Sequence, residues 1–230
     1  MKTSAGPLAL VGGGEWSEGC SFDAELLAAS GGTDVVVLPT AAAYERPERH
    51  VLRAGAWFEG LGAHVEGLMV LGRSDAEDPG AAAVAAGARF IYLAGGSPLH
   101  LRSVLKGSRV LAALLEAWHS GAVVAGSGAG AMVLTDPMVD PRGGALTVGL
   151  GLVERMAIVP QFGDIHEDAH GEKIHRSVAL APQGLPVVGI PERTAIIRDP
   201  DGSWRSAGSG QPTVFVDGKV SGRGLAELSF

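Results

Sequence analysis

Residues 121–134 read GAVVAGSGAGAMVL. A β-branched apolar run stops at a cluster of glycines and resumes as small and apolar residues at helical spacing, which predicts a strand, a tight turn and a helix. The same alternation runs upstream. Apolar runs stand at 8–12 (LALVG), 34–42 (DVVVLPTAA), 63–71 (AHVEGLMVL) and 89–96 (RFIYLAGG), with helical spacing at 22–29, 45–61, 79–86, 98–106 and 109–120. Continuous apolar strands separated by helices predict a mainly parallel sheet covered on both faces, a flavodoxin-like three-layer α/β sandwich. Beyond residue 135 the pattern changes. A Pro/Asp/Gly loop (135–144), a strand at 157–162 (AIVPQF) and a helix at 164–181 precede short strands at 187–190, 194–199, 203–208 and 213–218. These predict a small C-terminal antiparallel extension at one edge. Residues 72–80 (GRSDAEDPG) read as a polar loop rather than a boundary, so residues 1–230 are expected to form one domain.

The turn itself carries the chemical information. Residues 126–130 have the frame of the nucleophile elbow G-x-S-x-G, in which a serine at the apex is exposed at the end of a strand. Here the apex is Gly128, which has no side chain to attack anything. Two other predicted strands also end in glycines, at Gly12-Gly13-Gly14 and Gly95-Gly96. In a parallel sheet such ends lie on one rim, where ligands gather and where glycine lets them approach backbone N–H groups. None of the three has G-x-G-x-x-G followed by an acidic residue at the end of the next strand, so no dinucleotide cofactor is expected.

Composition excludes other classes. The net charge is −7 and the basic residues are scattered, which argues against nucleic acid. The longest apolar run falls far short of a membrane span, and the N-terminal apolar stretch reads as a first buried strand rather than a signal peptide. The one cysteine, Cys20, leaves no internal disulfide and fits a reducing cytoplasm.

Taken together, LVGGGE (10–15), VVLPTAA (36–42), IYLAGG (91–96), GSGAGAMVL (126–134), PMVDPRGGAL (137–146), VPQF (159–162) and GIPERTAII (189–197) resemble the dipeptidase E and cyanophycinase family of serine peptidases. That family's fold is similar to class I glutamine amidotransferases. The resemblance places the nucleophile at Gly128 and the general base, the histidine of a P-H-F strand end, at Gln161. It implies an orienting acid from the loop after the elbow, where Asp136 and Asp140 stand, and an oxyanion hole from the N–H groups of Gly96 and Ala129. Asn or Asp often follows the paired glycines in the family, whereas this chain has Ser97-Pro98, which read equally well as a helix cap and first helical residue. Glu192 sits where the family has an acidic loop residue, and it reads either as part of the pocket rim or as a turn residue; Glu15 has the same two readings.

Two substitutes for the missing groups present themselves. Ser127 is one residue from the apex, but neighbouring side chains on an extended segment face opposite ways, so it is expected to turn away and bond locally. On a helix, His166 and His170 are one turn apart, with Glu167 in reach; a third ligand would make them a zinc site, although a solvated charged face explains them as well. His50 and His119 read as solvent-facing, and Trp16, Tyr44 and Trp57 as packing residues. The expected protein is thus a defective serine-peptidase homologue whose glycine-lined pocket (Gly95, Gly96, Ser97, Ala129, Glu192) holds a carboxylate or small acidic peptide. The alternative is an active hydrolase with Ser127 as nucleophile and His166 or His170 as base.

Overall fold

The computed structural model describes residues 5–163 and 175–228. The first half of the chain alternates strand and helix as β1 (Leu8–Val11), α1 (Phe22–Ser30), β2 (Asp34–Leu38), α2 (Pro47–Glu59), β3 (His64–Gly67), α3 (Arg73–Ala76), α4 (Pro79–Gly87), β4 (Phe90–Leu93), α5 (Pro98–Leu105), α6 (Arg109–His119), β5 (Val123–Ser127) and α7 (Ala129–Leu134). The second half is strand-rich: β6 (Thr135–Asp136), β7 (Met138–Val139), β8 (Leu146–Thr147), β9 (Val153–Glu154), β10 (Ala157–Pro160), β11 (Val187–Ile190), β12 (Thr194–Arg198), β13 (Trp204–Gly208), β14 (Thr213–Val216) and β15 (Lys219–Val220).

The central sheet has the order β13-β12-β1-β5-β4-β2-β3. Its core β1-β5-β4-β2-β3 is parallel, and β12 and β13 extend it antiparallel beside β1. Both faces are covered, which is why the strands read as unbroken apolar runs. Ala9, Val11, Phe90 and Tyr92 face Phe22, Leu26 and Phe58 of α1 and α2. Leu8, Leu10, Ile91 and Leu93 face Leu101, Leu114 and Met132 of α5, α6 and α7.

The C-terminal half departs from the expectation of one antiparallel extension. β12 and β13 widen the central sheet, while β10, β11, β14 and β15 form a second sheet in that order, with β10 and β11 parallel. Parallel neighbours need a long crossover and leave no hairpin signature between them, so short strand-like runs cannot reveal the pairing.

Several local readings change as well. Only His64–Gly67 of the 63–71 run is a strand, and the 72–80 loop contains the short helix α3. Asp75 makes that turn: its Oδ2 accepts from the N–H groups of Gly72 (2.8 Å) and Leu71 (2.9 Å), which hold its carboxyl below the usual carboxylate range. Tyr44, expected as a packing residue, is 86% exposed, and its ring lies edge-on to His100. His50, expected in solvent, is half-buried with its ring edge-on to Trp16. Of the 164–181 helix, residues 175–179 are helical and 164–174 lie outside the described residues. Among the described residues no helix is long and apolar enough to cross a membrane.

Candidate active site

The end of β1 organises the site through its backbone. The carbonyl of Val11 accepts from the N–H of Gly128 (2.9 Å), that of Gly12 from Gln161 (2.7 Å) and that of Gly13 from Arg193 (2.7 Å). Three segments distant in sequence are thereby fixed against one turn. The three glycine turns meet around a cavity of about 390 Å³, lined by Gly13, Gly14, Glu15, Gly95, Gly96, Gly128 and Ala129, with Asp140, Gln161 and Ser177 closing it.

The elbow is present in full. β5 ends at Ser127, α7 begins at Ala129, and Gly128 between them has φ 52° and ψ −109°, a backbone conformation that disfavours any side chain. The flanking glycines are there for space. A Cβ on Gly126 would stand 2.5 Å from the carbonyl carbon of Gly130, and one on Gly130 would overlap the carbonyl oxygen of Leu93. A Cβ on Gly128 would meet only the Cα of Gly95, at 4.0 Å, so the place of the missing side chain is open. Beside it, the N–H groups of Gly95, Gly96 and Ala129 make no hydrogen bond among the described residues.

Gln161 also has a positive φ (55°), rare for a residue with a side chain, and its Nε2 donates to Oε1 of Glu192 at 3.1 Å. The side chain paired with Gln161 is therefore Glu192, supplied by the turn before β12. Asp140 lines the cavity but is bound to Arg142 at 2.6 Å, whose side chain holds the Asp140 carboxyl below its usual range. Asp136 is outside the cavity and accepts from the N–H of Gly149 at 3.3 Å.

Ser127 is fully buried, and its Oγ donates to Oε2 of Glu15 at 2.8 Å; the bond is long-range rather than local. Ser97 caps α5, accepting from the N–H of His100 (3.3 Å), with Pro98 at the first helical position. His166 and His170 lie outside the described residues; among those described, no group of three or more His, Cys, Asp or Glu is placed to hold a metal. Of the two acids that a sequence reading leaves undecided, Glu192 pairs with Gln161 and Glu15 lines the cavity wall. The position of Glu15 directly after three glycines is the one signal of a wall residue, and Ser177 carries no such signal.

A family model for peptidase family S51 matches residues 8–203. This chain belongs to peptidase family S51. Two cyanophycinases, from Synechococcus elongatus and Thermosynechococcus vestitus, are each 26% identical to it over 200 residues, 84% of this chain. The chain spans 62% of the length of either one. Among solved structures, a peptidase from an acI-B1 Actinobacterium superposes with a TM-score of 0.83 at 26% identity, covering 96% of this chain and 95% of that one. A protein assigned as a peptidase E from Listeria monocytogenes EGD-e shares the fold, with a TM-score of 0.61 at 17% identity, covering 93% of this chain and 99% of that one.

Proposed function

We propose that this S51 member does not run the serine-peptidase reaction and keeps its cavity as a binding site for a small ligand bearing a carboxylate or amide carbonyl, such as a short peptide. The observation that carries this reading is Gly128: the elbow holds its strained shape, yet its apex has no nucleophile. The second group of the reaction is missing too. A serine needs a base to take its proton, and the Gln161 amide, although held by Glu192 where a histidine would be oriented, is not a base at neutral pH. Such groups act as a unit, so losing either costs about as much as losing both. What remains is the recognition half of the machinery, the N–H groups of Gly95, Gly96 and Ala129, unbonded among the described residues, around an open cavity. The single cysteine supports a reducing, cytoplasmic setting.

The rival, Ser127 as a shifted nucleophile, draws support from its hydrogen bond to a carboxylate, but its burial leaves no path for a substrate carbonyl. Hydrolysis of Asp-X dipeptides, β-aspartyl dipeptides and cyanophycin separates the two. The expected result is no turnover by the protein or by Ser127→Ala, and slow peptide hydrolysis by Gly128→Ser/Gln161→His. Turnover by the unaltered protein that Ser127→Ala abolishes would overturn the proposal.

A further inference from the structure

The cavity contains an acidic side chain that makes no ion pair among the described residues. Glu15 lines the wall and is only 8% exposed. One oxygen, Oε2, accepts from the Ser127 hydroxyl. The other, Oε1, lies 3.5 Å from where a Cβ on the cavity-lining Gly95 would stand. Among the described residues no ion pair includes Glu15, and no Lys or Arg lines the cavity. Arg53 reaches this residue at its main-chain carbonyl instead, at 3.1 Å. Asp23, raised mainly by its own burial, is pushed further by the charge of Glu15.

A desolvated carboxylate is costly unless it is paired, and one neutral hydroxyl does not replace a counter-ion. We infer that the ligand of this cavity brings the counter-ion itself: an ammonium or guanidinium group that pairs with Glu15, while its carboxylate or carbonyl oxygen takes the N–H groups of Gly96 and Ala129. This rests on the cavity being a small-ligand site. It narrows the ligand class to amino acids and short peptides with a free amine or a basic group. A purely anionic ligand sets like charge beside Glu15 with no Lys or Arg among the described lining residues to offset it. Glu15 is then the specificity residue, and Ser127 is the positioning residue that fixes its carboxylate.

The test is calorimetric titration with two probes that differ only in the amine, glycylglycine and N-acetylglycylglycine, against the protein and against Glu15→Gln, which keeps the acceptor for Ser127. The free-amine dipeptide is expected to bind at least tenfold tighter, and Glu15→Gln is expected to reduce that preference to threefold or less. Equal binding of the two probes, or a preference that survives Glu15→Gln, overturns the inference and leaves the ligand-site reading standing; binding of neither overturns both.

Discussion

Gly128→Ala tests whether the elbow is a strained turn or merely a glycine-rich one. A Cβ there meets only the Cα of Gly95, at 4.0 Å, so the substitution carries no steric term and its cost is torsional. A side chain at φ 52°, ψ −109° costs about 1–3 kcal/mol. Replacing glycine returns about 0.4–1 kcal/mol by restricting the unfolded chain. At the centre of both ranges the net loss is about 1.3 kcal/mol, a fall in Tm of about 3–5 °C for a chain of this size. Gly128→Ser should match Gly128→Ala, since the hydroxyl projects into open cavity. Gly126→Ala is the contrasting variant: its Cβ would stand 2.5 Å from main-chain carbon, and it should lose soluble folded protein altogether. The soluble yield of Gly126→Ala, with thermal and urea melts of the two Gly128 variants, decides the matter. An unchanged or raised midpoint in Gly128→Ala would refute a strained apex, and with it the conclusion that the serine-bearing geometry persists here without its serine.

Other expectations follow from single contacts. Burial raises the Asp23 carboxyl from 3.8 to about 7, with the Trp57 indole N–H (2.9 Å from Oδ2) opposing the shift. The folded state therefore binds more protons than the unfolded chain between those values, and stability should fall as pH rises from about 4 to about 7, by as much as about 4 kcal/mol. Asp23→Asn should flatten that slope, melting with the unaltered protein near pH 4 and well above it at pH 8; parallel profiles would remove the account. Ser127→Ala strips the one hydrogen bond from Oε2 of Glu15 inside the protein and should cost about 1–3 kcal/mol in urea unfolding. Ser97→Ala removes the cap of α5 and should cost about 1 kcal/mol, read the same way, without changing ligand binding.

What could be read from the amino acids depended on how each feature is encoded. The parallel sheet was legible because strands such as Phe90–Leu93 are buried on both faces and so leave no polar alternation. The elbow was legible because Gly126 and Gly130 are demanded by contact between main chains, which no other residue satisfies. The pairings inside the site were not. Ser127 meets Glu15 across 112 residues, and Gln161 meets Glu192 across 31. The first follows from the central sheet, which sets the end of β1 beside the end of β5, and the second from the second sheet, where β10 and β11 end side by side. The loop after the elbow supplied the expected acids by sequence proximity alone, and the fold gives Asp140 to Arg142 and Asp136 to Gly149.

The carbonyls of Val11, Gly12 and Gly13 hold positions 128, 161 and 193 by main-chain bonds alone. Any residue that keeps its backbone N–H, which excludes only proline, preserves these bonds, because none of them involves a side chain. Shape and reactivity are therefore inherited separately in this scaffold. On the proposal that this member only binds its ligand, nucleophile and base can be exchanged in either order without collapsing the cavity, and hydrolysis can be introduced through point substitutions at two sites that the backbone keeps in register.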